Sequence, residues 1–129
     1  MIRPILLACL LATPALADEV WSSDVGDIVY QDEIDGAATF SFRGHDGHPV
    51  TLVIPGLAGN YDARGVHDAF WLGDGPGYCT GAMSWQGQTR TQWGQALLIF
   101  DKPAYPTSFT LLMGDCFDQP SYSIRAEIR

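Results

Sequence analysis

The stretch 57–68, LAGNYDARGVHD, is the part of the chain best equipped for chemistry. Asn60, Tyr61, Asp62, Arg64, His67 and Asp68 supply an amide, a phenol, two carboxylates, a guanidinium and an imidazole. That set offers donors, acceptors, both signs of charge and one group that titrates near neutrality. It joins the apolar runs 50–54 and 69–72 and is longer than an ordinary hairpin loop. Long ordered loops in compact domains carry function more often than short ones. These six residues are the candidate ligand-binding set. The structural alternative is an inert loop in which Arg64 pairs with Asp62 or Asp68 and Tyr61 caps the core.

Other groupings carry less. His45, Asp46 and His48 lie in a Gly-rich turn, and with His67 they could form a three-His zinc site only if the fold brought them together. Asp27, Asp32, Glu33 and Asp35 lack the alternating oxygen spacing of a calcium loop. A charge run of that kind usually marks a solvated sheet edge that resists aggregation. No metal ligand set and no cofactor is assigned. Trp and Tyr beside carboxylates can stack on sugars, but core packing accounts for most aromatics here equally well. The motifs G-x-S-x-G, H-E-x-x-H and G-x-x-x-x-G-K are absent. No catalytic residue is assigned, and binding is expected rather than turnover.

The elements that would position these groups read as strands. In the sequence, 14 Gly and 8 Pro are spread between short apolar runs, and no stretch holds a helical period over eleven residues. A helical turn near residues 61–68 is the one exception considered. Around Asp35-Gly36 two alternating runs suggest a hairpin. A loop of Ile34, Asp35 and Gly36 would set Tyr30 against Phe40, Ile28 against Phe42 and Asp32 against Ala38, gathering the apolar residues on one face. Further strands are expected at 50–54, 69–72, 78–85, 93–100, 109–113 and 122–128. Residues 96–100 are apolar on both faces, which suggests a central strand. Met83, Trp85, Leu98 and Phe109 are expected in the core. The fold class is all-β: a small single-domain antiparallel β-sandwich or barrel of about eight strands with one disulfide.

The first 17 residues, MIRPILLACLLATPALA, have one charge, a short apolar run and an Ala-Leu-Ala cleavage site. They read as a secretory signal, too short to span a membrane, leaving 18–129 as the mature domain. Only eight residues precede Cys9, too few for a lipoprotein signal, so no lipid anchor is expected there. Cys79 and Cys116 then form the only possible pair in an exported chain. On the chain-entropy model their loop is worth about 3–4 kcal/mol.

The whole chain of 129 residues has 15 Asp+Glu against 7 Lys+Arg, a formal charge of −8, and no segment apolar and long enough to cross a bilayer as a helix. Such acidity disfavours nucleic acid and anionic lipid. It is concentrated in residues 18–35, which contain seven acids and no Lys or Arg. In size, acidity and disulfide the chain is similar to small periplasmic inhibitors of lysozyme, a likeness of composition that no motif supports. The expected function is a non-catalytic binding module, periplasmic or extracellular, for a cationic partner such as a basic enzyme. The alternative is a carbohydrate- or metal-binding module, with an envelope glycan as partner, that uses the 57–68 loop. A small hydrolase is a more remote reading.

Overall fold

The computed structural model describes residues 19–60 and 64–129. The signal segment, the Cys9 position, Tyr61 and Asp62 lie outside the described residues. Ten strands run in chain order: β1 Val20–Ser23, β2 Gly26–Ile34, β3 Ala37–Arg43, β4 Pro49–Pro55, β5 Val66–Gly73, β6 Met83–Trp85, β7 Gln88–Arg90, β8 Trp93–Phe100, β9 Phe109–Met113 and β10 Tyr122–Ile128. Eight of them close an antiparallel barrel in the order β1-β10-β9-β8-β5-β4-β3-β2, and β6 and β7 form a separate hairpin. No described residue is helical. The expected all-β domain is therefore a barrel rather than a sandwich, closed by β1 pairing with both β2 and β10.

Alternation decides what fills it. Ala38, Phe40 and Phe42 on β3, Leu52 and Ile54 on β4, and Ala96, Leu98 and Phe100 on β8 are buried at every second position and face inward. An eight-stranded barrel has room for such side chains and little else. Towards one end Trp21 stacks on Phe40 at 4.9 Å and meets Phe109 edge-on at 4.9 Å, with Phe100 5.6 Å from Phe109. Trp21 Nε1 also donates to the Thr107 carbonyl at 2.8 Å, fixing the β8–β9 loop under that end.

The same end is sealed by charge. Arg64 is 1 % exposed and donates to both oxygens of Glu19, at 2.9 and 2.7 Å. Its guanidinium carbon lies 5.1 Å from the Phe100 ring centre and 5.3 Å from that of Tyr105. Its backbone N–H donates to the Pro103 carbonyl. Thus the chain before β1, the approach to β5 and the β8–β9 loop meet at one buried ion pair.

The first hairpin departs from the expected register in an instructive way. Tyr30 does face Phe40, but Ile34 pairs with Ala37, so the loop is Asp35-Gly36 alone. Both residues have positive φ, 52° and 81°, as a two-residue type I′ turn needs. The extra residue is a bulge at Gln31, which leaves Asp32 opposite Thr39 rather than Ala38. The buried face demands one inserted residue; the Asp-Gly turn is favourable as it stands, so the insertion falls within the strand. Gln31 Oε1 accepts from Ser41 at 2.8 Å across the strands.

Three other expectations are corrected. The strand expected over 78–85 shrinks to Met83–Trp85, because the N–H groups of Tyr78 and Cys79 both turn to the Thr91 carbonyl, at 3.1 and 2.9 Å. Met83 and Trp85 are half-buried on the outside of the barrel, against a cluster of Ala37, Val53 and Leu72. Val66, His67 and Asp68 belong to β5, not to a helical turn. The central strand expected over 96–100 holds, with β8 between β5 and β9; its outward Leu97 and Ile99 are half-exposed because a single-walled barrel covers only one face of each strand.

Breaking a buried pair leaves an uncompensated charge and costs about 3–5 kcal/mol. Arg64→Met and Glu19→Leu should each lower the free energy of urea unfolding by that amount. The double variant should recover a large part of it, since the two losses share one cause.

Candidate functional site

The end opposite the ion pair is open. A cavity of about 350 Å³ is lined there by residues of the β3–β4 loop, the segment after β5, the β9–β10 loop and the inward ends of the strands. Phe42, Val50, Trp71, Met113 and Ile124 form an apolar floor, and His45, Asp46, Tyr78, Gln92, Asp115 and Tyr122 form a polar wall.

Four of these six polar side chains have identified hydrogen-bond partners, and the rings of His45 and Tyr122 lie 5.7 Å apart. Asp46 accepts from the His48 backbone N–H at 3.0 Å through one oxygen and from Gln92 Nε2 at 2.8 Å through the other. Gln92 is buried and in turn accepts from the Gly75 N–H at 2.7 Å, so one amide joins the β3–β4 loop to the segment after β5. Tyr78 donates its hydroxyl to Asp115 at 3.0 Å. The disulfide joins Cys79 to Cys116, the residues that follow those two, and so ties the two walls together. Below them Trp71 Nε1 donates to the Gly114 carbonyl at 2.8 Å. Gly94 permits that approach, because a Cβ there would stand 1.9 Å from the same carbonyl oxygen.

Asp46 and Asp115 set the field that acts on the phenols of the cavity, and His48 adds an opposite contribution at Asp46. Burial, the hydrogen bond to Asp115 and the negative field of Asp115 and Asp46 push the Tyr78 phenol far above its ordinary value. Tyr122 is raised to about 12, first by burial and then by Asp115 and Asp46. Both carboxylates therefore act on both phenols. Asp46 is held below the usual carboxylate range by its hydrogen bonds to the His48 backbone and the Gln92 side chain. That shift is opposite to the one a general acid requires. Among the described residues no Lys or Arg lies within ion-pair distance of Asp46 or Asp115. Arg43, on the outward face of β3, bonds instead to the Gly47 carbonyl at 2.7 Å.

The residues singled out from the sequence lie elsewhere. Arg64 is inside the closed end, bound to Glu19. His67 sits opposite Leu98 on the inward side of β5, 6.4 Å from the Phe100 ring, with its Nε2 buried and without a hydrogen-bond partner among the described residues. Asp68 is exposed on the outer side of the same strand. Asn60 is half-buried, and its N–H closes a turn onto the Leu57 carbonyl at 2.9 Å. The fold does not bring these four onto one surface. Nor do the histidines converge: His45 is at the open end and His67 towards the closed one. Of the acidic run, Asp27 pairs with Arg129 at 2.6 Å, and Glu33 accepts from the Tyr30 hydroxyl and the Gly59 N–H. Among the described residues no three His, Cys, Asp or Glu side chains gather as a metal ligand set.

The open-end residues are scattered from 45 to 122 and share no motif. One signal was nonetheless present. A Cys79–Cys116 disulfide necessarily draws their neighbours Tyr78 and Asp115 together. Set against known protein families, curated proteins and solved structures, the chain matches none.

Replacing Asp115 by Asn removes a negative charge and leaves a neutral, weaker amide acceptor for the Tyr78 hydroxyl. The Tyr78 and Tyr122 ionisations should both move to lower pH, read as tyrosinate absorbance or by ¹³C NMR of the labelled rings. Gln92→Ala should raise the Asp46 midpoint towards its ordinary 3.8 in a carboxyl ¹³C titration. Asp46 titrates low in the folded state, so its contribution to stability is complete above the unfolded value and disappears as pH falls through the folded one.

Proposed function

We propose that the protein is an exported, non-catalytic binding module that recognises a cationic partner protein, such as a basic enzyme, through the open end of its barrel. The observation that carries this reading is the pair of carboxylates, Asp46 and Asp115, at an aromatic cavity, neither paired with a Lys or Arg among the described residues. Three exposed acids elsewhere on the barrel have partners, Asp101 with Arg125, Asp74 with Arg90 and Asp27 with Arg129, whereas Asp24, Asp32, Asp35, Asp68 and Asp118 are exposed outside these ion pairs and do not line the aromatic cavity. The rim adds contact area of the kind that anchors interfaces. Tyr78 is 53 % exposed, and Phe117, which packs edge-on against Trp93 beside the disulfide, is 73 % exposed. Aromatic anchors next to charge are common hot spots of protein–protein contacts. The net charge of −8 would steer a basic partner towards the barrel over longer range. Export is supported by the signal-like first 17 residues and by a disulfide, which persists in oxidising compartments.

A second reading has one observation in its favour. The exposed Tyr78 ring beside Asp115 also suits a sugar, which would stack on the ring and hydrogen-bond the carboxylate. Salt separates the two readings.

The expected outcome with immobilised protein and a basic lysozyme is saturable binding. It should weaken at least tenfold from about 0.1 M to about 1 M salt, as the Debye length falls from about 10 Å to about 3 Å. Asp46→Asn/Asp115→Asn should weaken it by a similar factor. Affinity unchanged by both salt and the double variant would contradict the proposal. Salt-resistant binding of peptidoglycan fragments, lost in the same variant, would favour the glycan reading.

A further inference from the structure

We propose that the open end receives the planar guanidinium of an arginine side chain presented by the partner, in preference to a lysine ammonium. The inference rests on the cationic-partner reading and specifies what enters the cavity.

Size sets the first limit. At about 350 Å³ the cavity is at the low end of ligand pockets, which span about 300–1,000 Å³. It suits one side chain rather than a folded segment. The walls set the second. Trp71, Met113 and Ile124 below and Tyr78 and Tyr122 beside them offer an entering cation apolar and aromatic surface, while Asp46 and Tyr78 remain open to solvent at the mouth. An ammonium is a compact, strongly hydrated charge that gains little from such surfaces. A guanidinium is weakly hydrated and stacks on aromatic faces. The acceptors set the third. Asp46 comes from the β3–β4 loop and Asp115 from the β9–β10 loop, and both fields reach the same two phenols. Five N–H donors in a planar fork can serve two carboxylates approaching from different segments.

The barrel already applies this combination to itself. At the closed end Arg64 is held by the Glu19 carboxylate and lies between the Phe100 and Tyr105 rings, at 5.1 and 5.3 Å. The open end has two carboxylates and two phenol rings, and among the described residues no guanidinium is paired with either carboxylate, Arg43 at the end of β3 being bound to the Gly47 carbonyl.

The test is an NMR titration of the oxidised protein with acetyl-Gly-Arg-Gly-amide, its Lys counterpart and agmatine. The expected result is saturable shifts at Tyr78, Asp115 and Tyr122, with the Arg peptide binding at least tenfold tighter than the Lys peptide. Asp46→Asn and Asp115→Asn should each weaken it severalfold, their folding checked by amide spectra. Asp46→Asn leaves the Tyr78–Asp115 bond untouched and serves if Asp115→Asn fails to fold. Agmatine binding as well as the peptide would support the pocket and point to a free guanidine as its source. Equal or tighter binding of the Lys peptide, or shifts confined to other surfaces, would overturn the inference. If neither peptide saturates while a basic lysozyme still binds through Asp46 and Asp115, the inference falls and the cationic-partner reading stands. If lysozyme fails as well, both fall.

Discussion

A guanidinium buried to 1 % exposure is tolerable only if its charge is matched where it lies, and the closed end of this barrel is organised around that requirement. Glu19 takes two of its donors, Phe100 and Tyr105 flank it, and the backbone beside it is held by the Pro103 carbonyl. Three separate stretches of chain are gathered by one charge. The aromatic stack of Trp21, Phe40 and Phe109 then fills the adjoining interior. With that end occupied, room for a ligand remains at the other.

The two ends treat charge in opposite ways. One satisfies a cation internally; the other presents two carboxylates that no Lys or Arg of the described residues pairs with. The raised Tyr78 and Tyr122 ionisations keep both phenols neutral, first through burial, so the negative charge of the cavity rests on Asp46 and Asp115. A positive group from outside would pair with those carboxylates. The Cys79–Cys116 bond, one residue from both Tyr78 and Asp115, keeps the arrangement in place before any partner arrives. A preorganised site spends less binding energy on its own ordering.

The fold was legible in the sequence because alternation is a strong signal. Phe109, Leu111 and Met113, or Ile124 and Ala126, announce a strand with one buried face, and they are buried as that pattern requires. Barrel against sandwich was not legible, since closure depends on β1 pairing on both sides, and four residues carry little periodicity. The hairpin shows a subtler limit. The need for one inserted residue could be read from Tyr30 and Phe40, but its position at Gln31 depended on how well Asp35 and Gly36 form a two-residue turn. The 57–68 loop drew notice because its polar residues are contiguous, yet Arg64 and His67 turn inward. The open-end residues are contiguous only in space. Asp46 and Gln92 are 46 residues apart, and no local pattern joins them.

Mapping the footprint of a bound basic protein would decide whether the open end is the binding surface. Amide chemical shifts of the isotope-labelled, oxidised chain would be followed as an unlabelled basic lysozyme is added. The structure leads us to expect perturbations clustered at 44–46, 78, 115–117 and 122, with little change at 57–68 and on the outer faces of β5 and β8. Perturbations centred on 57–68 or on those outer faces, with the open end unaffected, would contradict it.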